Sequence, residues 1–253
     1  ATVGAIAFSL MASAVYIFND LCDLENDRRH PLKKLRPIPA GLVPVRTARL
    51  LVVLLSTCSL LLSWYENLSI MTLLSLYLVV NLAFSLYLKK IPIIDISIIA
   101  LGFLLRIVAG GLLTDIPVSN WLLIMTVLLA LFLAIAKRRD DLILMVTKDQ
   151  ASSSVFPIYS LRFVDNSMMI LSGSIVIVYI MYTLSTEVTT RLSTNWLFLT
   201  AIPVVLGILR YLQSTLIRKK PAEPMTMLLN DRLLQLNVVI WVCTWVGVIY
   251  LQG

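Results

Sequence analysis

The stretch IIDISIIALGFLLRIVAGGLL, residues 93–113, decides the fold class. It contains 21 residues that are almost all apolar, and about 20 such residues suffice to cross the hydrocarbon core of a bilayer. A helix is the expected form, because lipid cannot form hydrogen bonds with an open backbone. We therefore predict a transmembrane helix here, and two ionisable residues, Asp95 and Arg106, lie within it.

The whole chain has the same apolar character. Of its 253 residues, 59% are apolar and 14% are charged, and the mean hydropathy is +0.90. A soluble domain carries about 25% charged residues, so this composition excludes a single water-soluble core. We predict an all-α, polytopic membrane helical bundle that forms a single transmembrane domain over residues 1–253. The other seven predicted spans are residues 1–19, 47–63, 70–88, 119–136, 166–186, 196–213 and 233–251.

The distribution of charge predicts the orientation. Lys and Arg number 21, Asp and Glu number 14, and the net charge is +7. Nineteen of the 21 basic residues, including Lys89 and Lys90, fall in the four connections of one side. The positive-inside rule places that side in the cytoplasm, and we expect a multi-pass protein of the plasma (inner) membrane. Most acidic residues also lie on this side, and since topology does not require them, we expect a chemical role.

The densest set of carboxylates follows the first span, in SAVYIFNDLCDLENDRRH, residues 13–30. Asp20, Asp23 and Asp27 are spaced by three and four residues, so a helix would place them on one face, with Asn19 alongside. Like charges at this spacing repel each other, and a bound divalent cation would remove the repulsion. Ligand sets made only of oxygen suit Mg²⁺, which commonly bridges to substrate phosphates. We predict that the three aspartates are catalytic and bind Mg²⁺; a solvated helix end is the alternative.

Basic residues follow the carboxylates, as a diphosphate substrate would require. The run RRHPLKKLRP covers residues 28–37, and KRRDD at residues 137–141 ends the fifth predicted span. Asp141 is a candidate for the site, although it could equally pair with a cation. Arg106 is either a phosphate ligand or a structural residue, in an ion pair or in helix packing. The predicted substrate-binding residues are Asn19, Lys33, Lys34, Arg36, Arg106, Lys137, Arg138, Asp141 and Arg162.

Several stretches carry a family resemblance. NDLCDLENDRRHPLKKLRPIPAG, residues 19–41, resembles the first aspartate-rich motif of the UbiA-type intramembrane prenyltransferase superfamily. The chain is most similar to the decaprenyl-phosphate phosphoribosyltransferase branch. Other stretches that resemble this branch are IPIIDISIIALGFLLRIVAGG (91–111), AIAKRRDDLIL (134–144), YSLRF (159–163) and NDRLLQL (230–236).

The resemblance implies both a fold and a reaction. The fold is a helical bundle of nine spans around a central cavity, so the eight spans seen here predict that the first helix is missing. The reaction is the Mg²⁺-dependent transfer of 5-phosphoribose from phosphoribosyl diphosphate to a polyprenyl phosphate, with release of diphosphate. In this branch the second motif reads Lys-Arg-x-x-Glu, and Asp141 takes the place of the glutamate.

Two other functions stay open. One is a UbiA-type prenyltransferase that moves an isoprenyl group from its diphosphate to an aromatic or lipid acceptor. Such enzymes tend to carry a second DxxxD motif, and residues 137–141 lack it. The other is a non-enzymatic membrane transporter, which ionisable residues within a span would also fit. No paired broken helices of the transporter kind stand out in the sequence.

Overall fold

The computed structural model describes residues 2–29, 33–147, 159–217 and 224–250. Within these ranges the regular elements are all helical, and eight helices are long and apolar enough to cross a membrane. The predicted all-α class and the eight predicted spans are therefore confirmed. Four residues counted on the basic side lie outside the described ranges: Lys148, Arg218, Lys219 and Lys220.

The chain divides into two compact units, and the first comprises Ala1–Val118. Its helices are α1 (Thr2–Cys22), α2 (Leu24–Arg29), α3 (Val45–Glu66), α4 (Leu68–Leu86) and α5 (Ile94–Thr114), with short 3₁₀ turns at Lys33–Leu35 and Leu88–Lys90. Helix α1 packs along α3 and contacts α4, and α4 also contacts α3 and α5. Buried Met11, Ile70 and Leu74 form the core of this unit.

The second unit comprises Ser119–Gly253. Its helices are α6 (Asn120–Thr147), α7 (Leu161–Leu184), α8 (Thr186–Leu192), α9 (Ala201–Ile217), α10 (Pro224–Asn230) and α11 (Arg232–Tyr250), with a 3₁₀ helix at Leu197–Thr200. Helix α6 packs against α7, and α9 contacts both α7 and α11. The hydroxyl of Tyr179 lies 2.9 Å from the hydroxyl of Thr200, and it accepts a hydrogen bond of 2.9 Å from the indole N–H of Trp241.

Large apolar side chains remain exposed along the spanning helices. Trp64, Ile170 and Ile202 are 70%, 69% and 58% exposed. A water-soluble protein rarely exposes so much contiguous apolar surface. In a bilayer the same surface contacts lipid, and the helices satisfy their own backbone groups.

Helix α6 extends beyond the apolar segment that predicts its span. That segment covers residues 119–136, and the helix continues to Thr147. No glycine or proline interrupts residues 137–147, and ion pairs compensate for the polar side chains there. Arg138 pairs with Asp141 at 3.6 Å within the same helix. Hydropathy marks where the apolar segment ends, not where helical backbone ends.

A tight connection returns the chain towards α1. The backbone N–H of Ala40 donates to the carbonyl of Arg36 at 2.9 Å, and that of Val43 donates to Pro37 at 3.1 Å. Gly41 has a φ of 78°, a left-handed conformation that glycine adopts without steric cost. Arg36, at the start of this turn, lies next to the carboxylates at the end of α1.

Candidate functional site

The polar end of α1 keeps the helical spacing of the predicted carboxylates. Helix α1 ends at Cys22 and α2 begins at Leu24. Across this break the backbone N–H of Asp23 donates to Asn19 at 3.0 Å, and that of Asp27 donates to Asp23 at 2.8 Å. Both bonds span four residues, as in an α-helix. The three aspartates are thus held by nearly continuous helical backbone.

Two of the carboxylates share one cation. The Nη1 atom of Arg36 donates to Oδ1 of Asp20 at 2.7 Å and to Oδ2 of Asp27 at 3.3 Å. Asp27 is only 4% exposed, so its charge depends on this partner. Arg36, a predicted phosphate ligand, therefore neutralises two predicted metal ligands in this conformation.

The third carboxylate pairs with a lysine for which the sequence offers no role beyond topology. The Nζ atom of Lys89 donates to Oδ1 of Asp23 at 2.5 Å. Lys89 lies in the 3₁₀ turn after α4, and its neighbour Lys90 is exposed. The sequence alone does not distinguish the roles of these two lysines, because it is the geometry of the turn that directs one of them towards Asp23.

This end of the first unit fits a hard divalent cation. Its donors are carboxylate oxygens and the amide oxygen of Asn19, which Mg²⁺ prefers. Among the described residues, no group of three acidic, histidine or cysteine side chains lies close enough to hold a metal ion. However, one oxygen of Asp20 and one of Asp27 already face a common positively charged nitrogen. If Arg36 moved away, the two carboxylate oxygens would be free to bind a metal cation in its place.

A cavity of about 160 Å³ lies next to this end, within the first unit. Three of its polar lining residues, Tyr77, Asn81 and Ser85, recur every fourth residue along α4. This spacing aligns them on one face, and it is a sequence signal that a search for charged motifs misses. The Oγ atom of Ser85 donates to Oδ1 of Asn19 at 3.2 Å. The cavity therefore adjoins the aspartate motif through Asn19.

Arg106 also lines this cavity. Its Nη2 atom donates to the hydroxyl of Tyr77 at 3.1 Å, and its guanidinium lies 5.2–5.8 Å from the ring centroids of Phe8, Tyr77 and Phe103. Among the described residues Arg106 forms no ion pair with Asp95, which lies at the start of α5 and is fully buried. The structural ion pair that the sequence allowed does not form in this conformation.

The second unit brings together a different set of charges. Arg139 is buried and its Nε atom donates to Asp165 of α7 at 2.7 Å, so it joins two helices. Asp141 lies beside Arg138, as one of its two readings predicted. Lys137 on α6 and Arg162 in the first turn of α7 are exposed. In the first unit, Lys33 is half-buried and Lys34 is exposed in the turn before Arg36.

The second unit also contains an apolar cavity of about 220 Å³, between α6, α9 and α11. Leu129 and Leu133 line it, and Lys137 follows at the same four-residue spacing along α6. The amide of Asn237, a polar group in the lining, is engaged because its Nδ2 atom donates to the carbonyl of Pro203 at 2.8 Å. The cavity thus offers an apolar interior with a cation farther along the same helix face.

Asp231 anchors the start of α11 in the second unit. Its carboxylate accepts hydrogen bonds from Nε of Arg210 and from the hydroxyl of Ser214, both at 3.1 Å, and from the backbone N–H groups of Leu233 and Leu234. Burial raises the pKa of Asp231, but these donors lower it further, and the net pKa lies below the usual range. Asp231 is therefore an ionised helix cap.

Comparison with known proteins identifies the family. Residues 1–239 match the profile of the UbiA prenyltransferase family. The chain is 34% identical to decaprenyl-phosphate phosphoribosyltransferase of Mycolicibacterium smegmatis (strain ATCC 700084 / mc(2)155), with 98% of this chain and 80% of the relative covered. It is 32% identical to the protein of that name from Mycobacterium tuberculosis (strain ATCC 25618 / H37Rv), with 94% and 78% covered.

A solved structure shares the fold. A UbiA homolog from Archaeoglobus fulgidus, bound to GPP and Mg²⁺, superposes with a TM-score of 0.71 at 18% identity, and the match covers 98% of this chain and 87% of that one. Together with the eight apolar helices, these matches establish a multi-pass integral membrane protein and an enzyme. The chain belongs to the UbiA prenyltransferase family.

Proposed function

We propose that this enzyme transfers 5-phosphoribose from phosphoribosyl diphosphate to a polyprenyl phosphate and releases diphosphate. Relatives that cover most of the chain bear the name decaprenyl-phosphate phosphoribosyltransferase, which supports this reaction. The observation that carries it lies at the end of α6. There Lys137 is exposed and Asp141 is paired with Arg138. This end of the helix therefore presents basic side chains, which suit a phosphate group. An isoprenyl transferase tends to carry a second pair of carboxylates here, which would bind another metal ion.

The donor's diphosphate is assigned to the end of α1. Asp20, Asp23 and Asp27, with Asn19, would hold Mg²⁺, which would neutralise the negative charge that develops on the leaving diphosphate. Lys33, Lys34 and Arg36 would bind phosphate oxygens. For Arg36 this requires that it exchange Asp20 and Asp27 for the substrate, and its charge suits either partner.

The acceptor phosphate is assigned to Lys137, Arg138 and Arg162. In the proposed step a phosphate oxygen of the acceptor attacks C1 of the ribose, the bond between C1 and the diphosphate oxygen breaks, and diphosphate leaves with the electron pair. The attacking oxygen is already anionic, so the step requires no strong general base. In-line attack predicts inversion at C1.

The polyprenyl tail is assigned to apolar surface. The cavity of the second unit supports this assignment, because it is lined by residues such as Leu133, Val204 and Trp241. Its lining continues along α6 towards Lys137, so an apolar tail and an anionic head could bind to one helix face. We also propose that the protein lies in the plasma (inner) membrane with this chemistry on the cytoplasmic side, where the basic connections cluster.

A direct comparison of donors tests the proposal. Membranes that contain the protein would be given Mg²⁺ and either radiolabelled phosphoribosyl diphosphate or a radiolabelled isoprenyl diphosphate. We expect the ribose label to enter the lipid fraction, and we expect an Asp20→Ala/Asp23→Ala double variant to abolish the transfer. Transfer of the isoprenyl label alone would support the second candidate, an isoprenyl transferase, for which the neighbour solved with GPP and Mg²⁺ is the supporting observation.

A further inference from the structure

Arg106 lies deep within a predicted membrane span. It is the thirteenth residue of α5, which begins at Ile94, so it lies roughly 18 Å along the helix axis from that end at 1.5 Å per residue. Its partners among the described residues are the hydroxyl of Tyr77 and three aromatic rings, and all are uncharged. A charge at this depth is costly and normally faces a partner or a functional cavity. Arg106 lines such a cavity.

The walls of the cavity suit a polyhydroxylated ligand. Asn19, Asn81 and Ser85 contribute amide and hydroxyl groups, and Tyr77 contributes a phenol. Asn81 already donates from Nδ2 to the backbone carbonyl of Tyr77 at 2.8 Å, which fixes the orientation of its amide. Within the part of the chain that the structure describes, the guanidinium of Arg106 donates one hydrogen bond, to Tyr77. A prenyl chain in this space would bring no acceptor to its remaining N–H groups, and burying them without partners costs free energy.

The volume of the cavity and its position beside Asp20 indicate which part of the donor it can hold. The cavity holds about 160 Å³, whereas sites for whole drug-sized ligands run from roughly 300 to 1,000 Å³. It therefore accommodates one end of a donor rather than the complete molecule. Asn19 lines the cavity and directly precedes Asp20 of the predicted metal site. A donor whose diphosphate lies at Asp20 could thus extend its other end past Asn19 towards Arg106.

We propose that this cavity binds the phosphorylated pentose end of the donor. Arg106 binds the 5-phosphate, since a guanidinium binds phosphate through two parallel hydrogen bonds. Asn19, Asn81 and Ser85 bind the ribose hydroxyls. This inference rests on the proposed function and deepens it, because it separates the site of the 5-phosphate from the site of the leaving diphosphate.

Binding to the purified, full chain tests the assignment by ligand class. The ligands are phosphoribosyl diphosphate, ribose 5-phosphate and inorganic diphosphate, each with Mg²⁺. We expect Arg106→Gln to weaken the binding of phosphoribosyl diphosphate and of ribose 5-phosphate by at least about tenfold, because charge-assisted hydrogen bonds are lost. The binding of inorganic diphosphate should stay unchanged. Arg49→Gln, which changes an exposed cation on α3 of the same unit, should leave all three unchanged.

A second variant fills the cavity without touching Arg106. Gly102 lines the cavity, and an added Cβ there would lie 3.8 Å from the ring of Tyr77, an ordinary contact. The Cβ of Gly102→Leu is thus accommodated, and the rest of the side chain should occupy the cavity and reduce ribose 5-phosphate binding by at least about tenfold. Thermal unfolding of the variant checks that it folds. Gly110→Leu is the matched control on the same helix, because an added Cβ at Gly110 meets nothing within 4 Å.

The outcomes distinguish failure of this inference from failure of the proposed function. If wild type binds phosphoribosyl diphosphate, Asp20→Asn abolishes the Mg²⁺-dependent part and Arg106→Gln changes nothing, the cavity assignment is wrong and the function stands. If wild type binds neither ribose ligand, both are wrong. If Arg106→Gln spares the ribose ligands and weakens the binding of benzoate, tested as a fourth ligand, the cavity binds an aromatic carboxylate and the assignment is wrong.

Discussion

The two units enclose cavities of opposite character. In the first unit, Asn19, Asn81 and Arg106 line a cavity next to the carboxylates of α1. In the second unit the cavity is lined mainly by apolar side chains, and Asn237 is the one amide among its lining residues. Buried polar groups without a partner are costly, so each cavity favours a different chemistry. In the proposed reaction the ionic donor binds in the first unit and the apolar part of the acceptor binds in the second.

The largest effect should follow the loss of a carboxylate in the first unit. We expect Asp20→Asn to lower transferase activity by at least about 100-fold, because a proposed metal ligand loses its charge. The matched control is Glu25→Gln, since Glu25 is exposed and pairs with Arg28 on the solvent side of the same segment. Steady-state rates across a Mg²⁺ titration measure both. Equal activity of the two variants would contradict the proposal that the donor binds in the first unit.

Filling the apolar cavity should affect the other substrate. We expect Val204→Phe, a change in its lining, to raise the KM for polyprenyl phosphate about tenfold through overpacking. Leu206→Phe is the control, because Leu206 is on the same helix and 55% exposed. The KM for the donor should stay constant in both variants. A rise in the KM for the donor alone would contradict this assignment and would indicate that the donor, not the acceptor, binds in the second unit.

A smaller effect is expected from the lysine that contacts the aspartate motif. Lys89→Met removes the partner of Asp23, and the loss of a half-exposed ion pair is worth about threefold in rate. Lys90→Met removes an equal charge from the adjacent residue, which is exposed. The ratio of the two rates at saturating Mg²⁺ is the readout. Identical rates would mean that Lys89 contributes only to topology.

The smallest effect on activity is expected at Asp231, whose role is structural. Asp231→Asn should leave the kinetics unchanged but destabilise the protein by about 1–3 kcal/mol at pH 7, since an ionised hydrogen-bond acceptor is lost. The folded-state pKa of Asp231 lies below the usual range. Its contribution is therefore complete above the unfolded pKa and is lost as the pH falls through the folded one.

The measurement for Asp231 is thermal unfolding of both proteins in detergent between pH 7 and pH 3. The gap between them should be constant down to about pH 5 and should shrink below about pH 4. Asp115→Asn is the control, because Asp115 is exposed and adopts a φ of 54°, which asparagine tolerates. A gap that widens as the pH falls would contradict the lowered pKa.

Hydropathy was enough to predict the architecture but not the pairings. Each of the eight apolar segments became a spanning helix, because lipid imposes one backbone solution on such segments. The spacing of Asp20, Asp23 and Asp27 likewise predicted a helical segment. The length of α6 could not be inferred in this way, since Arg138 and Asp141 continue the helix by pairing beyond the apolar run.

The site was harder to predict because its contacts join distant parts of the chain. Arg36 was expected to bind phosphate, yet a tight turn brings it to Asp20 and Asp27. Lys89 reaches Asp23 from 66 residues away. The sequence shows Arg106 as a charged residue within a membrane span, which costs free energy. Its cavity could not be predicted, because residues of α1, α4 and α5 line it and it forms only when these helices pack together. Local periodicity predicts which residues share a helix face and cannot predict what the face meets.

Mass spectrometry of lipid products tests the proposed transfer most directly. The purified full chain would be incubated with Mg²⁺, phosphoribosyl diphosphate and polyprenyl phosphates of several lengths. We expect the mass of each acceptor to increase by one phosphoribosyl group, with equimolar release of diphosphate and no product from Asp20→Asn. Lipid products that carry an added isoprenyl group when an isoprenyl diphosphate is supplied, and none with phosphoribosyl diphosphate, would contradict the proposed function.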